Sequence, residues 1–345
     1  MKTSFKQILG IAAVSLSITV TTFSTGASAS NISLVYASES PPQTFPVVTA
    51  NKWANEVKER TDGRVSVRVF SGGSLLTAGN MYDGVSSGVA DIGSIAVSYD
   101  PGRFPLLSLA GAVTGLEVSS AVASQAVYDL TREFTAEQLG FKDFKILTAF
   151  TSEPGRIHSR NQVRNLEELK GLELRVPGDT GIILRQLGAV PVGLSMPETG
   201  EALQTGVISG YVGSRETLMD LKFARTTKYV ADYPLTNVVF VVAMRKDRWD
   251  SLPEDVQAIL EELGAQTALY AGSYLDGRVA ESLKWSAIEE DVQVVSLSEE
   301  ETRRWDEQLQ PLLDARVADV EAKGLPAKQL VEKLHERIKA YRATE

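Results

Sequence analysis

The stretch from Gly171 to Gly210, GLELRVPGDTGIILRQLGAVPVGLSMPETGEALQTGVISG, constrains the fold more than any other. Leu172, Leu174 and Val176 alternate with Glu173, Arg175 and Pro177, the period of two that marks a strand. Pro177 and Gly178 stop it. Asp179 and Thr180 can cap a helix through Ile182, Ile183, Leu184 and Leu187, which Gly188 ends. A second strand follows over Val190 to Leu194. Ser195 to Glu198 has the spacing of a capping box for the next helix, with Pro197 in its first turn. Gly206 ends that helix, and Val207 and Ile208 begin a third strand. Two successive strand–helix–strand units call for a parallel sheet.

Arg175 lies on the polar phase of its strand, close to the break. Ligands of open parallel sheets sit outside the carboxyl ends of strands. The helix N-terminus near Asp179 to Gly181 also favours anions. A guanidinium fork there suits a carboxylate, because arginine presents paired N–H donors to two oxygens. The alternative is a surface arginine paired with Glu173 or Asp179.

Length and composition bound the rest. A chain of 345 residues, 43% hydrophobic and 23% charged, predicts two domains of a soluble globular protein. The net charge of −9 and the lack of a basic block argue against nucleic acid as partner. Lys2 and Lys6, an apolar run over Ile8 to Val20 and the small-x-small triplet Ala27-Ser28-Ala29 form a secretory signal over residues 1–29, with the mature chain starting at Ser30 in the periplasm. That run is short and interrupted, so a membrane anchor is disfavoured, and no later stretch predicts a membrane span. The absence of cysteine excludes disulfides, thiolate metal sites and a cysteine nucleophile.

Upstream, Asn31 to Ala37, Arg64 to Val69 and Ala90 to Val97 predict three strands, with helices over about Val48 to Thr61 and Asn80 to Gly88 between them. This trio mirrors the later one and predicts two α/β lobes. Ser119 to Leu139 predicts a helix and Lys145 to Phe150 a strand. NVVFVVAM at Asn237 to Met244 predicts a buried strand that returns the chain to the first lobe. Ser251 to Glu254 has capping-box spacing, and a helical pattern runs from there to about Glu290, roughly 55 Å at 1.5 Å per residue. No small lobe is that thick, so one helix crossing both lobes is expected. Gly264, Gly272 and Gly277 can let it bend, or can divide it into shorter helices. Val292 to Val295 predicts a short strand, Ser298 to Glu301 a third capping box, and Pro311 a break or kink in the helix that follows. Pro326 to Tyr341 predicts a terminal amphipathic helix carrying Leu330, Leu334 and Ile338. The expected organisation is 30–150 plus about 238–270 for the first lobe and 151–237 plus about 271–345 for the second, with a ligand cleft between them.

ERTDGRVSVRVFSGGSLL at 59–76, SGVADIG at 87–93, LEELKGLELRVPG at 166–178, LGAVPVGL at 187–194, EALQTGVISG at 201–210 and WDSLPEDVQ at 249–257 together resemble the solute-binding proteins of tripartite ATP-independent periplasmic (TRAP) transporters, of the dicarboxylate-binding DctP type. The resemblance covers essentially the whole mature chain. It implies a two-lobed α/β clamp with mostly parallel sheets and a long helix spanning both lobes. It also implies an organic acid held between the lobes by Arg175, and delivery to separate membrane permease subunits. Two departures stand out. Val207-Ile208-Ser209-Gly210 lacks the acid of the family's Val-x-Asp-Gly. Sialic-acid-type members carry an Asn at the place of Gly213 and an Arg aligning with Gly155, which argues against sialic acid here.

Further contacts are expected from Arg156, beside the Glu153-Pro154-Gly155 turn, and from Tyr211 and Arg215 after the third strand. Gln43 in the Pro-rich loop and Ser94 on the first lobe's central strand complete the set, with Thr44 and Ser98 beside them. Each also has a plain reading, as a solvated loop residue or a strand-end cap. His158 reads as a packed residue, Trp249 as core, and Glu299 to Glu301 as a solvated face. An exported hydrolase is the rival class, but it would have to build a triad on His158, because His335 sits on a polar helix. No Gly-x-Ser-x-Gly elbow, zinc-ligand pair or dinucleotide fingerprint occurs, so no cofactor or metal is expected. A periplasmic sensor of the same fold is the other alternative.

Overall fold

The structure, a computed structural model, describes residues 31–112, 117–178 and 180–343. The expected export signal and the capping role of Asp179 fall outside them. Its strands are, in chain order, β1 (Ile32–Ser38), β2 (Val65–Phe70), β3 (Ile92–Ala96), β4 (Phe144–Thr151), β5 (Arg156–Ser159), β6 (Glu173–Val176), β7 (Val190–Gly193), β8 (Gly210–Gly213), β9 (Tyr229–Ala231), β10 (Val239–Arg245) and β11 (Gln293–Val295). They form two sheets, ordered β2-β1-β3-β10-β4 and β11-β9-β5-β8-β6-β7.

In the first sheet β1 lies parallel to β2 and β3, with Leu34 opposite Val67 and Tyr36 opposite Ile92, and β10 runs antiparallel between β3 and β4. In the second, β6 sits parallel to β7 on one side and to β8 on the other, as the twofold strand–helix pattern of residues 171–210 requires. There β5 is antiparallel to β8 and β9. The reversed members, β5 and β10, are the strands that the chain enters directly from the other sheet. The two connections, residues 152–155 and 232–238, run side by side. Ser152 N–H donates to Val238 O (2.9 Å), Gly155 N–H to Thr236 O (2.6 Å) and Leu235 N–H to Gly155 O (2.9 Å). These bonds pair the two connections, while Asn237 N–H turns to Gly111 O and Asp232 N–H to Val295 O.

The focal stretch forms its helices over Gly181–Gln186 and Met196–Thr205, and Ser195 and Glu198 make the expected capping box. Gly206 closes the second helix in the left-handed region (φ 76°). β8 begins later than expected, at Gly210, because the cap is still being completed: Ile208 N–H returns to Ala202 O.

The long helix is a single element, Glu254–Glu289, of 36 residues and about 54 Å. It packs on the helices Phe45–Arg60 and Ser120–Glu133 and on β4, and at its far end on the helix Thr217–Asp220 beside the second sheet. The glycines do not divide it. Gly264 and Gly272 are close-approach sites: a methyl at Gly264 would stand 2.6 Å from Leu147 O, and one at Gly272 2.5 Å from Ala121 Cα, whereas one at Gly277 would touch nothing. Asp276, one turn further, accepts from the N–H groups of Ser120 (2.7 Å) and Ala121 (3.0 Å). An anion at a helix N-terminus is favourable there.

Four local expectations change. Ser251 does not cap the long helix; its hydroxyl donates to Arg248 O at the end of the preceding turn (2.7 Å). Ser298 caps its helix by accepting from Glu301 N–H (3.2 Å), but the Glu301 carboxylate is buried instead of solvated, accepting from Leu166 N–H (2.7 Å) and the Trp305 indole (3.0 Å). Pro311 does not break the helix Glu299–Ala322. The terminal helix, Ala327–Arg342, places Leu330, Leu334 and Ile338 in one core with Ala126, Leu130 and Val241. The chain end therefore completes the hydrophobic core of the first sheet, not that of the second.

Candidate functional site

The carboxyl ends of β1, β3, β6 and β8 meet at one cavity, closed from behind by the paired connections. Its empty space is about 620 Å³, including the part open to solvent. The loop after β1 supplies Glu39 and Thr44, the turn after β3 supplies Tyr99, β6 supplies Arg175, and the turn after β8 supplies Glu216. Phe45 and Phe240 give an apolar wall, packed edge to face with ring centres 5.7 Å apart.

Arg175 is 1% exposed. Its Nε donates to Leu194 O (2.9 Å), its Nη1 to Val212 O (3.3 Å) and its Nη2 to the Tyr99 hydroxyl (2.8 Å). All three partners are neutral oxygens, and no carboxylate among the described residues forms an ion pair with it. The surface pairing with Glu173 is thus not adopted. A guanidinium held this way is oriented but not neutralised, and burying such a charge is costly until an anion arrives. Tyr99 follows β3 of the first sheet, so this bond also ties the two halves together.

Two acids share the cavity. Burial pushes the Glu39 carboxyl up to about 7, against the opposing pull of the Ser40 hydrogen bond and of Arg175. Burial also pushes Glu216 up to about 8; the charges of Glu153 and Asp220 add to this, and the Ser214 hydroxyl opposes it. The halves touch once more beside Tyr99. Gly178, with φ +55°, brings its backbone against the carbonyl of Ser98 so closely that a Cβ would overlap it.

Of the six residues expected to contact a ligand, Arg175 alone lines the cavity. Arg156 is buried on the far side of the paired connections, where it donates to Pro154 O (2.7 Å), Glu117 (2.6 Å) and Asp232 (3.4 Å). Arg215 is pinned by Glu153, which accepts its Nε (2.7 Å) and its backbone N–H (2.9 Å). Tyr211 lies behind the cavity wall, stacked on His158 with ring centres 4.4 Å apart and 4° between planes, and its hydroxyl meets that of Thr217 (2.8 Å). Ser94 is buried in the first sheet opposite Val242 and Ser38. Gln43 points to solvent and its neighbour Thr44 lines the cavity. His158 is packed as expected. Its Nε2 lies 3.0 Å from Gly213 O, which fixes the proton on that nitrogen, and burial lowers its pKa to about 3. Glu39, Tyr99 and Glu216 were missed. The rule that ligands gather at the carboxyl ends of strands points to all three, when applied to β1, β3 and β8 as it was to β6.

Two α/β halves, joined by paired connections around a buried arginine that has no ion-pair partner among the described residues, define a solute-binding clamp. Comparison with known proteins gives the family. Residues 36–319 match the family model of DctP, bacterial extracellular solute-binding protein, family 7. A solute-binding protein of Sulfitobacter sp. (strain NAS-14.1) is 27% identical over 284 residues, 80% of this chain and 84% of that one. A TRAP periplasmic solute-binding protein from Desulfovibrio salexigens is 37% identical, superposes with a TM-score of 0.80 over 90% of this chain and 97% of its own, and was crystallised open, with the C-terminus of a symmetry mate in its ligand-binding site. A marine metagenome TRAP solute-binding protein specific for aromatic acids, in complex with 3-hydroxybenzoate, is 26% identical with a TM-score of 0.83, covering 90% and 99% of the two chains. The chain belongs to this family of extracellular solute-binding proteins and is one of the TRAP type. Its family and neighbours are receptors for solutes. Among the described residues no helix is long and apolar enough to cross a membrane, and no cluster of three or more His, Asp or Glu is arranged to hold a metal.

Proposed function

We propose that this chain captures a small organic acid in the cleft, through a single carboxylate on Arg175, and hands it unchanged to TRAP permease subunits. Export through the signal over residues 1–29 puts it in the periplasm. The carrying observation is the arginine: 1% exposed, oriented by three neutral oxygens and without a carboxylate partner among the described residues. A carboxylate there gains charge-assisted bonds and relieves the cost of the buried charge. The solved relatives with a symmetry mate's C-terminus and with 3-hydroxybenzoate in their sites support a carboxylate as the anion. Because Arg175 also bonds Tyr99 across the halves, the ligand favours the closed arrangement and shifts the population towards it. The paired connections at 152–155 and 232–238 serve as the hinge.

The test is a thermal-shift screen of the chain from Ser30 onward against organic acids. A ligand that binds only the folded state adds about 2.7 kcal/mol at 100 times its dissociation constant. The shift should vanish in Arg175→Met and weaken in Arg175→Lys, and the acid should be recovered intact by mass spectrometry. A shift retained in Arg175→Met would remove Arg175 from the site. Turnover of the acid would return the protein to the hydrolase class.

A further inference from the structure

Arg175 accounts for one end of a ligand, and the cavity has groups for another. Among the described residues lining it, Arg175 is the sole cation, while Glu39 and Glu216 are both acids. They are 4% and 2% exposed. Glu39 accepts from the Ser40 hydroxyl (3.2 Å) and Glu216 from the Ser214 hydroxyl, and neither forms an ion pair among the described residues. The other buried acids nearby are handled differently: Glu153 is bound to Arg215 and Asp220 to Arg278. The protein thus neutralises its structural acids and leaves uncompensated the pair that faces the cavity.

That pair comes from opposite halves, Glu39 after β1 and Glu216 after β8. A second carboxylate on a ligand would meet two acids and no cation, and so would find no opposite charge there. A positively charged nitrogen would find one acid acceptor on each half. We propose that the solute is a small zwitterion, its carboxylate on Arg175 and its cationic nitrogen shared between Glu39 and Glu216. This rests on the carboxylate reading of Arg175 given above. An arriving cation favours the ionised form of both acids, whose carboxyls burial holds near neutral pH, so binding at pH 7 releases protons to the buffer.

The test is calorimetry on the chain from Ser30 onward with skeleton-matched sets: alanine with lactate; proline with cyclopentanecarboxylate; γ-aminobutyrate with γ-hydroxybutyrate and succinate. Each titration is run in two buffers of different ionisation enthalpy. The expected result is binding confined to amino monocarboxylates, with proton release. In Glu39→Gln and Glu216→Gln the preference for the amino over the hydroxy partner should fall on the order of tenfold or more. A merely structural role for these acids would weaken all acids alike and leave that ratio unmoved, which overturns the inference. Binding of the hydroxy acids or of succinate, with the amino acids silent, overturns the zwitterion and leaves Arg175 as carboxylate receptor. Silence of every acid in the sets overturns both readings.

Discussion

Gly178→Ala tests whether the contact between the halves is a closure contact. In the wild type Gly178 has φ +55° and follows β6, and a methyl there would overlap the Ser98 carbonyl oxygen, approach its carbon to 2.5 Å and stand 3.0 Å from Tyr99 N. These are backbone atoms of the other half, so no side chain can swing aside. Two costs follow. Placing alanine in the left-handed region costs about 1–2 kcal/mol in any arrangement of the halves. The overlap costs on the order of 1–3 kcal/mol, as other overpacked contacts do, but only when the halves are closed. At 1.4 kcal/mol per factor of ten, the second term lowers the closed population about 5- to 150-fold, and apparent affinity falls by the same factor. Calorimetry with an acid identified by the thermal-shift screen reads the affinity. Small-angle scattering with and without that acid reads the compaction. Affinity within twofold of wild type together with undiminished compaction would refute the closure role. Lower melting temperature alone, with affinity kept, would leave only the backbone term.

Two further perturbations separate packing from propensity and locate a proton. Gly277→Ala, in open space on the long helix, should stabilise the protein by about 0.5–1 kcal/mol, while Gly272→Ala, against the backbone of Ser120 and Ala121, should destabilise it by about 1–3 kcal/mol; denaturant melts of both, with equal slopes, check the contrast. His158 is neutral in the fold with its pKa lowered to about 3, mainly by burial, with Arg215 and Arg156 adding to it, whereas the unfolded chain takes up a proton near 6.5. Stability is therefore lost as pH falls from about 6.5 towards 3, by about 2 kcal/mol at pH 5. His158→Gln should flatten that part of the curve whatever it costs at pH 7, and a variant curve parallel to the wild type would refute the assignment.

The architecture was legible because its main signals are periodic. Alternation at residues 172–176, the Ser195–Glu198 box and the 36-residue run of helical pattern need no tertiary information, and each is present. Contacts were less legible. The sequence offers three arginines near the cleft, and it takes the fold to give Arg156 and Arg215 to Glu117, Glu153 and Asp232 while Arg175 forms no ion pair among the described residues. Glu301 reads as one of three adjacent surface acids, yet its partners, Leu166 and Trp305, turn it inward. Glu39 and Glu216 carry no motif, and only strand ends meeting in space make them a pair. Pro311 shows the limit of a local rule, since the helix continues through the residue expected to break it.

The terminal helix has a consequence for how the chain acquires its structure. Leu34, Tyr36 and Ile92 belong to the earliest part of the first sheet, but the opposite face of that sheet is sealed by Leu330, Leu334 and Ile338. Most of the second sheet lies between β4 and β10, but its edge strand β11 and the core residues Trp305 and Leu309 come from after the long helix, so both halves draw on the later chain. Only β5 to β9 of the second sheet can condense from neighbours close in sequence. The first sheet must keep apolar surface uncovered until its last helix is available, which puts its long-range pairing late and makes its unfinished form the aggregation-prone species. A chain ending before Ala327 would retain all the groups around Arg175 and lack the seal on the sheet that positions Glu39 and Tyr99.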